Sequence, residues 1–65
     1  MFDKNKFKST LLLEGKTMKE VAKHLDITLS TLYRKINGES DFYRNEMNKL
    51  KEYLNLENPE DMFFG

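Results

Sequence analysis

The 65-residue chain predicts an all-α fold, a compact five-helix domain, and three observations carry the prediction. Apolar residues recur at spacings of three and four, as one face of a helix requires, and no stretch alternates with the period of two that a strand needs. Helix-start chemistry appears at Thr17-Met18-Lys19-Glu20 and at Asn58-Pro59-Glu60-Asp61. The breakers are few, three glycines and one proline, and they fall between the periodic segments.

The first helix is predicted from Asp3 or Lys4 to Glu14, with Phe7 and Leu11 one turn apart on its inner face and Gly15 taking the left-handed position that ends it. Phe2 is expected to pack beneath it. Leu11, Leu12 and Leu13 cannot all point inward on a 3.6-residue period, so exposure or a partner is expected there. Thr17 to Glu20 form a capping box, in which the threonine oxygen takes one free N–H and the glutamate reaches back to the threonine N–H. The second helix begins there, and Met18, Val21, Ala22 and Leu25 give it an inward stripe.

Only Asp26, Ile27 and Thr28 separate this helix from the third, Thr28 to Asn37. Two short helices joined so tightly must cross steeply, and Ala22 supplies the small residue that close packing demands. Ile27 and Leu32 are spaced as a hydrophobic staple, Thr28 is the N-cap, and Asn37-Gly38 closes the helix. Leu25, Ile27, Leu32 and Ile36 then form a shared core. After the polar Glu39-Ser40-Asp41, a fourth helix carries Tyr43, Met47, Leu50 and Leu54 inward, with Phe42 stapled to Met47 and Glu46 at the third position. A fifth starts at Asn58, the capping amide, followed by Pro59 and two acids. Met62, Phe63 and Phe64 are expected as the lid of the core or a dimer contact.

Sixty-five residues make one domain, residues 1–65, near the lower limit for folding without disulfides or metal, which keeps oligomerisation in view. There is no cysteine, and so no disulfide, cysteine-ligated zinc or thiol chemistry. No apolar run reaches the roughly 18 residues of a membrane span. A soluble, cytoplasmic protein is expected. Formal net charge is zero but unevenly spread: residues 1–35 hold eight Lys/Arg against four acids, and residues 36–65 three against seven. That asymmetry permits one basic face.

The third helix has a face of hydroxyls and cations with no acid: Thr28, Leu29, Ser30, Thr31, Tyr33, Arg34 and Lys35. Arg34 offers the bidentate geometry that matches guanine O6 and N7, Ser30 donates or accepts, and Leu29 suits a thymine methyl. Thr28, Thr31 and Lys35, with Lys19 and Arg44 near the starts of neighbouring helices, are residue types that would sooner meet phosphates than bases. Leu29, Leu32, Tyr33 and Ile36 also fit one inward stripe, so Leu29 and Tyr33 could serve core instead of groove. His24 stands without a second histidine or cysteine, as a surface residue and not a metal ligand. The sequence holds no nucleophile paired with a base, no phosphate loop and no metal cluster, and no enzyme, cofactor or small-molecule ligand is expected.

Thr17, Ala22, Leu25, Ile27, Leu32 and Ile36, with Asn37-Gly38 after them, resemble the phage-repressor-like helix-turn-helix family, Cro-type in size, with the helix-turn-helix at residues 17–37. Asp41-Phe42 through Glu46, Leu54 to Leu56 and the terminal Phe63-Phe64 are similar to a subgroup of small phage-derived regulators from Gram-positive bacteria. Asp26 stands where relatives often have glycine, Met18 where many have a phosphate-touching glutamine, and Leu29 where a polar residue is common. The resemblance implies a transcriptional regulator, a repressor occupying a palindromic operator in double-stranded DNA. Its third helix would enter the major groove with Leu29, Ser30, Tyr33 and Arg34 at base edges, and Asn37 and the backbone after it would meet phosphate.

One short helix buries little surface, so a homodimer on two half-sites is expected, joined through Tyr53, Leu56, Phe63 and Phe64. The competing expectation is a protein-interaction module of antirepressor type that keeps the fold without binding DNA and uses Leu13, Leu29 and Tyr33 as its contact surface.

Overall fold

The computed structural model describes residues 1–65 as five helices and no strand: α1 Lys4–Glu14, α2 Met18–His24, α3 Leu29–Ile36, α4 Arg44–Tyr53 and α5 Pro59–Phe63. None is long and apolar enough to cross a membrane.

The starts follow from local chemistry. Asp3 accepts from the Lys6 N–H at 3.0 Å and caps α1. Thr17 and Glu20 close both halves of a capping box, at 3.1 and 2.9 Å. Thr28 accepts from the Thr31 N–H at 3.1 Å and caps α3. At α4 the glutamate half alone forms, with Glu46 accepting from the Tyr43 N–H at 2.8 Å. The Asn58 side chain, expected to cap α5, makes no cap hydrogen bond; the proline at the first position removes one free donor instead.

Four helices end the same way. After α1, α2, α3 and α4 a residue at positive φ turns the chain back, and two N–H groups bond to carbonyls of the last turn. Gly15 and Gly38 take that place at the ends of α1 and α3, and Asp26 (φ 59°) and Asn55 (φ 54°) at the ends of α2 and α4. Asp26 therefore occupies the left-handed turn position at which glycine is usual. Asp and Asn reach this region at lower cost than other non-glycine residues.

The core draws on every helix: Phe7 and Leu11, Val21, Ala22 and Leu25, Leu32 and Ile36, Leu50 and Leu54, Met62 and Phe63. Helix α2 packs on α3, and α5 packs on both α1 and α4. Ala22 is buried, consistent with a close approach across the tight turn; a larger side chain there would cost about 1–3 kcal/mol by overpacking. Phe2, Phe7, Phe42 and Phe63 form an aromatic cluster with ring centroids 4.9–5.6 Å apart. Phe2 thus does pack beneath α1. Tyr43, expected inward, is exposed: it is the residue before α4 rather than within it, so the helical period does not reach it. Both Leu12 and Leu13 face solvent, at 84% and 85% exposure.

Candidate nucleic-acid interface

Helix α3 is held by three features of its own sequence. Leu32 and Ile36 anchor it in the core, half-buried Ile27 packs beside them, and Thr28 fixes its first turn. Thr28 Oγ1 also donates its proton to Thr31 Oγ1 at 2.9 Å. The Thr31 hydroxyl therefore keeps its own proton for another acceptor.

On the outer side stand Ser30 and Arg34, both exposed, with Leu29 at 40% and Tyr33 at 43% exposure. That exposure removes Leu29 and Tyr33 from the core and leaves them beside Ser30 and Arg34. The chain has two ion pairs, Lys6–Asp61 and Lys35–Glu46. Arg34, Lys19 at the second position of α2 and Arg44 at the first position of α4 have no acidic partner, and all three are exposed. Thr28 is exposed and Thr31 half-buried.

Lys35 departs from its expected outward place. It is 3% exposed, with Nζ 3.0 Å from Glu46 Oε1, donating to the Asp41 carbonyl at 2.9 Å and lying 4.3 Å from the Tyr43 ring centroid. The three donors of the ammonium thus find a carboxylate, a carbonyl and an aromatic face, and none is left for a phosphate. Lys35 joins α3 to the start of α4 and is not part of the outer surface. Position explains it: three residues after Leu32 and one before Ile36, it lies on the inward side of α3.

At the end of α3, Asn37 is exposed and its Oδ1 accepts from Lys4 Nζ at 2.8 Å. Lys4 was not among the expected site residues; nothing in local spacing joins positions 33 residues apart.

The residues expected to join two copies separate. Phe63 is buried in the aromatic cluster and cannot offer its ring to a partner. Tyr53 is half-buried, stacked on His24 at 4.0 Å between centroids and 16° between planes, with Lys16 Nζ 4.6 Å from its ring. Leu56 is half-buried, and Phe64 is 69% exposed. His24 lies on the surface, as expected, and no group of three or more His, Cys, Asp or Glu side chains is placed to hold a metal ion.

Residues 9–39 match the family model of the helix-turn-helix domain of resolvase. The match spans the second half of α1, all of α2, the turn and α3, ending just past Gly38. No curated protein and no solved structure matches the chain. The unit formed by α2, the turn at Asp26 and α3 is a helix-turn-helix.

Proposed function

We propose that this helix-turn-helix binds double-stranded DNA with α3 in the major groove, and that the protein is a small transcriptional regulator, a Cro-like repressor that acts by occupying a palindromic operator. The observation that carries the reading is the outer face of α3: Ser30, Arg34, Leu29 and Tyr33 exposed together on a capped helix that bears no acid, with the Arg34 guanidinium unpaired. Arg34 is the bidentate reader of guanine, Ser30 a short donor or acceptor, and Leu29 and Tyr33 the apolar contacts to base edges and thymine methyls. Thr28, Thr31, Lys19, Arg44 and Asn37 meet phosphates and set the register. Lys35 leaves that set and supports α3 from behind.

Homodimerisation belongs to the same reading. The Cα framework extends 25 × 24 × 20 Å, so one copy spans roughly seven base pairs at about 3.4 Å each. Two copies on half-sites one turn apart would read an operator of ordinary length. Phe64, Leu56 and the outer edge of Tyr53 remain the surface for that contact, without Phe63. Sedimentation at micromolar concentration with a palindromic duplex should give two chains per duplex; one chain at saturation would rule the dimer out.

The decisive experiment is a salt titration of binding to random duplex. Phosphate contacts release counterions, so the observed affinity should fall steeply with salt, with a slope of about −0.9 per contact. A slope near zero would exclude DNA binding and would turn Leu29, Tyr33 and Leu13 into a protein-contact surface.

A further inference from the structure

We propose that Lys4 and Asn37 form one composite phosphate-binding site, in which the first residue of α1 extends the DNA-facing edge of α3. The inference rests on the DNA-binding reading above and adds a contact that the helix-turn-helix itself does not contain. Lys4 Nζ lies 2.8 Å from Asn37 Oδ1, across 33 residues of chain, and both side chains are exposed. An ammonium donates only, so this bond fixes which end of the amide faces it. The Asn37 Nδ2 pair is thereby turned away from Lys4.

The ammonium keeps two N–H groups and the amide both of its own, on adjoining exposed side chains, and no acidic oxygen lies within 4.0 Å of Lys4 Nζ. Several of the oxygens nearby already accept protein hydrogen bonds. At the end of α3 the carbonyls of Tyr33, Arg34 and Lys35 accept from the N–H groups of Asn37, Glu39 and Gly38. Asp3, next to Lys4, spends its Oδ1 on the Lys6 N–H. Arg34 lies one turn before Asn37 on the same helix. A phosphodiester that meets this pair receives one full positive charge and an oriented amide, while Arg34 is left free for a base.

The test compares salt slopes on one random duplex for the wild-type chain, Lys4→Gln, Lys4→Arg and Asn37→Ala. Lys4→Gln keeps a donor for Asn37 but loses the charge; its slope should flatten by about 0.9, a loss of about eightfold in the affinity gained between 1 M and 0.1 M salt. Lys4→Arg should restore the slope. Asn37→Ala should weaken binding at every salt concentration and leave the slope unchanged. The Lys4→Gln loss should be equal on a specific site and on random duplex, since phosphates carry no sequence information. A steep wild-type slope that Lys4→Gln leaves untouched would overturn the Lys4 site alone. A flat wild-type slope would overturn DNA binding and this site with it. Equal circular dichroism melts of wild type and Lys4→Gln confirm that fold is not the variable.

Discussion

Replacing Lys35 by methionine removes one half of a buried ion pair and leaves the other in place. Lys35 Nζ and Glu46 Oε1 are 3.0 Å apart, with side chains only 3% and 6% exposed. At that separation the Coulomb attraction is about 5.5 kcal/mol with an effective dielectric near 20. Desolvating the two ions costs several kcal/mol each, so the intact pair contributes little net stability relative to an apolar pair. The single substitution is another matter. Glu46 keeps only the Tyr43 N–H, its charge stays buried, and the expected loss is about 3–5 kcal/mol. A 65-residue domain has roughly 3–10 kcal/mol in total, so Lys35→Met should lose a third or more of its stability. The double variant Lys35→Met/Glu46→Leu should return to within about 1–2 kcal/mol of the wild type, the remainder being the lost bonds to the Tyr43 N–H and the Asp41 carbonyl. Urea titration followed by circular dichroism reads both. A loss under about 1 kcal/mol for Lys35→Met would refute the reasoning, because that is what an exposed pair such as Lys6–Asp61 is worth.

Three further outcomes are expected. Arg34→Ala should cost about 1–3 kcal/mol on a specific site and much less on random duplex in a fluorescence binding assay; equal losses would make Arg34 a phosphate contact. Asp26→Gly relieves a left-handed aspartate and should stabilise the fold by about 0.5–1 kcal/mol, seen as a rise of several degrees in thermal melting, whereas a fall would show that the aspartate side chain contributes more than its backbone strain costs. Phe63→Ala should cost about 3–5 kcal/mol as a core truncation, while Phe64→Ala should leave the monomer's stability within about 0.5 kcal/mol and weaken self-association in sedimentation.

Much of the fold is written locally, and that part was legible in the sequence. The capping box at Thr17 and Glu20, the Thr28 cap, Gly15 and Gly38, and the stripe Val21, Ala22, Leu25 all depend on residues within a turn or two of one another. What sequence spacing missed is long-range. Lys35 looks like a surface cation until Glu46 and the Asp41 carbonyl are brought beside it, and Glu46 looks like a helix cap because it is also one. Lys4 carries no signal of its place until the chain has folded. Tyr43 fits the spacing of a helical stripe but lies one residue before the helix, and Asn55 ends α4 from a left-handed conformation with no glycine to mark it.

The Asp3 N–H donates to the Met62 carbonyl at 2.7 Å, and Phe2 lies 5.6 Å from Phe63. This clasp joins the two ends of the chain. Helices α2 and α3 need close only a four-residue connection, residues 25–28, whereas α1 meets α5 across residues 15–58, a closure costing about 2 kcal/mol more in chain entropy. The helix pair that defines the motif therefore closes at the smaller entropic cost, and the chain ends dock at the larger one. Lys4, which reaches Asn37, and Phe2, which backs Phe42, both belong to the chain end that this clasp holds. A surface that reads as a local motif is thus completed by a residue from the far end of the chain, 33 positions away, so a change at the clasp that holds that end can reach α3 without touching it.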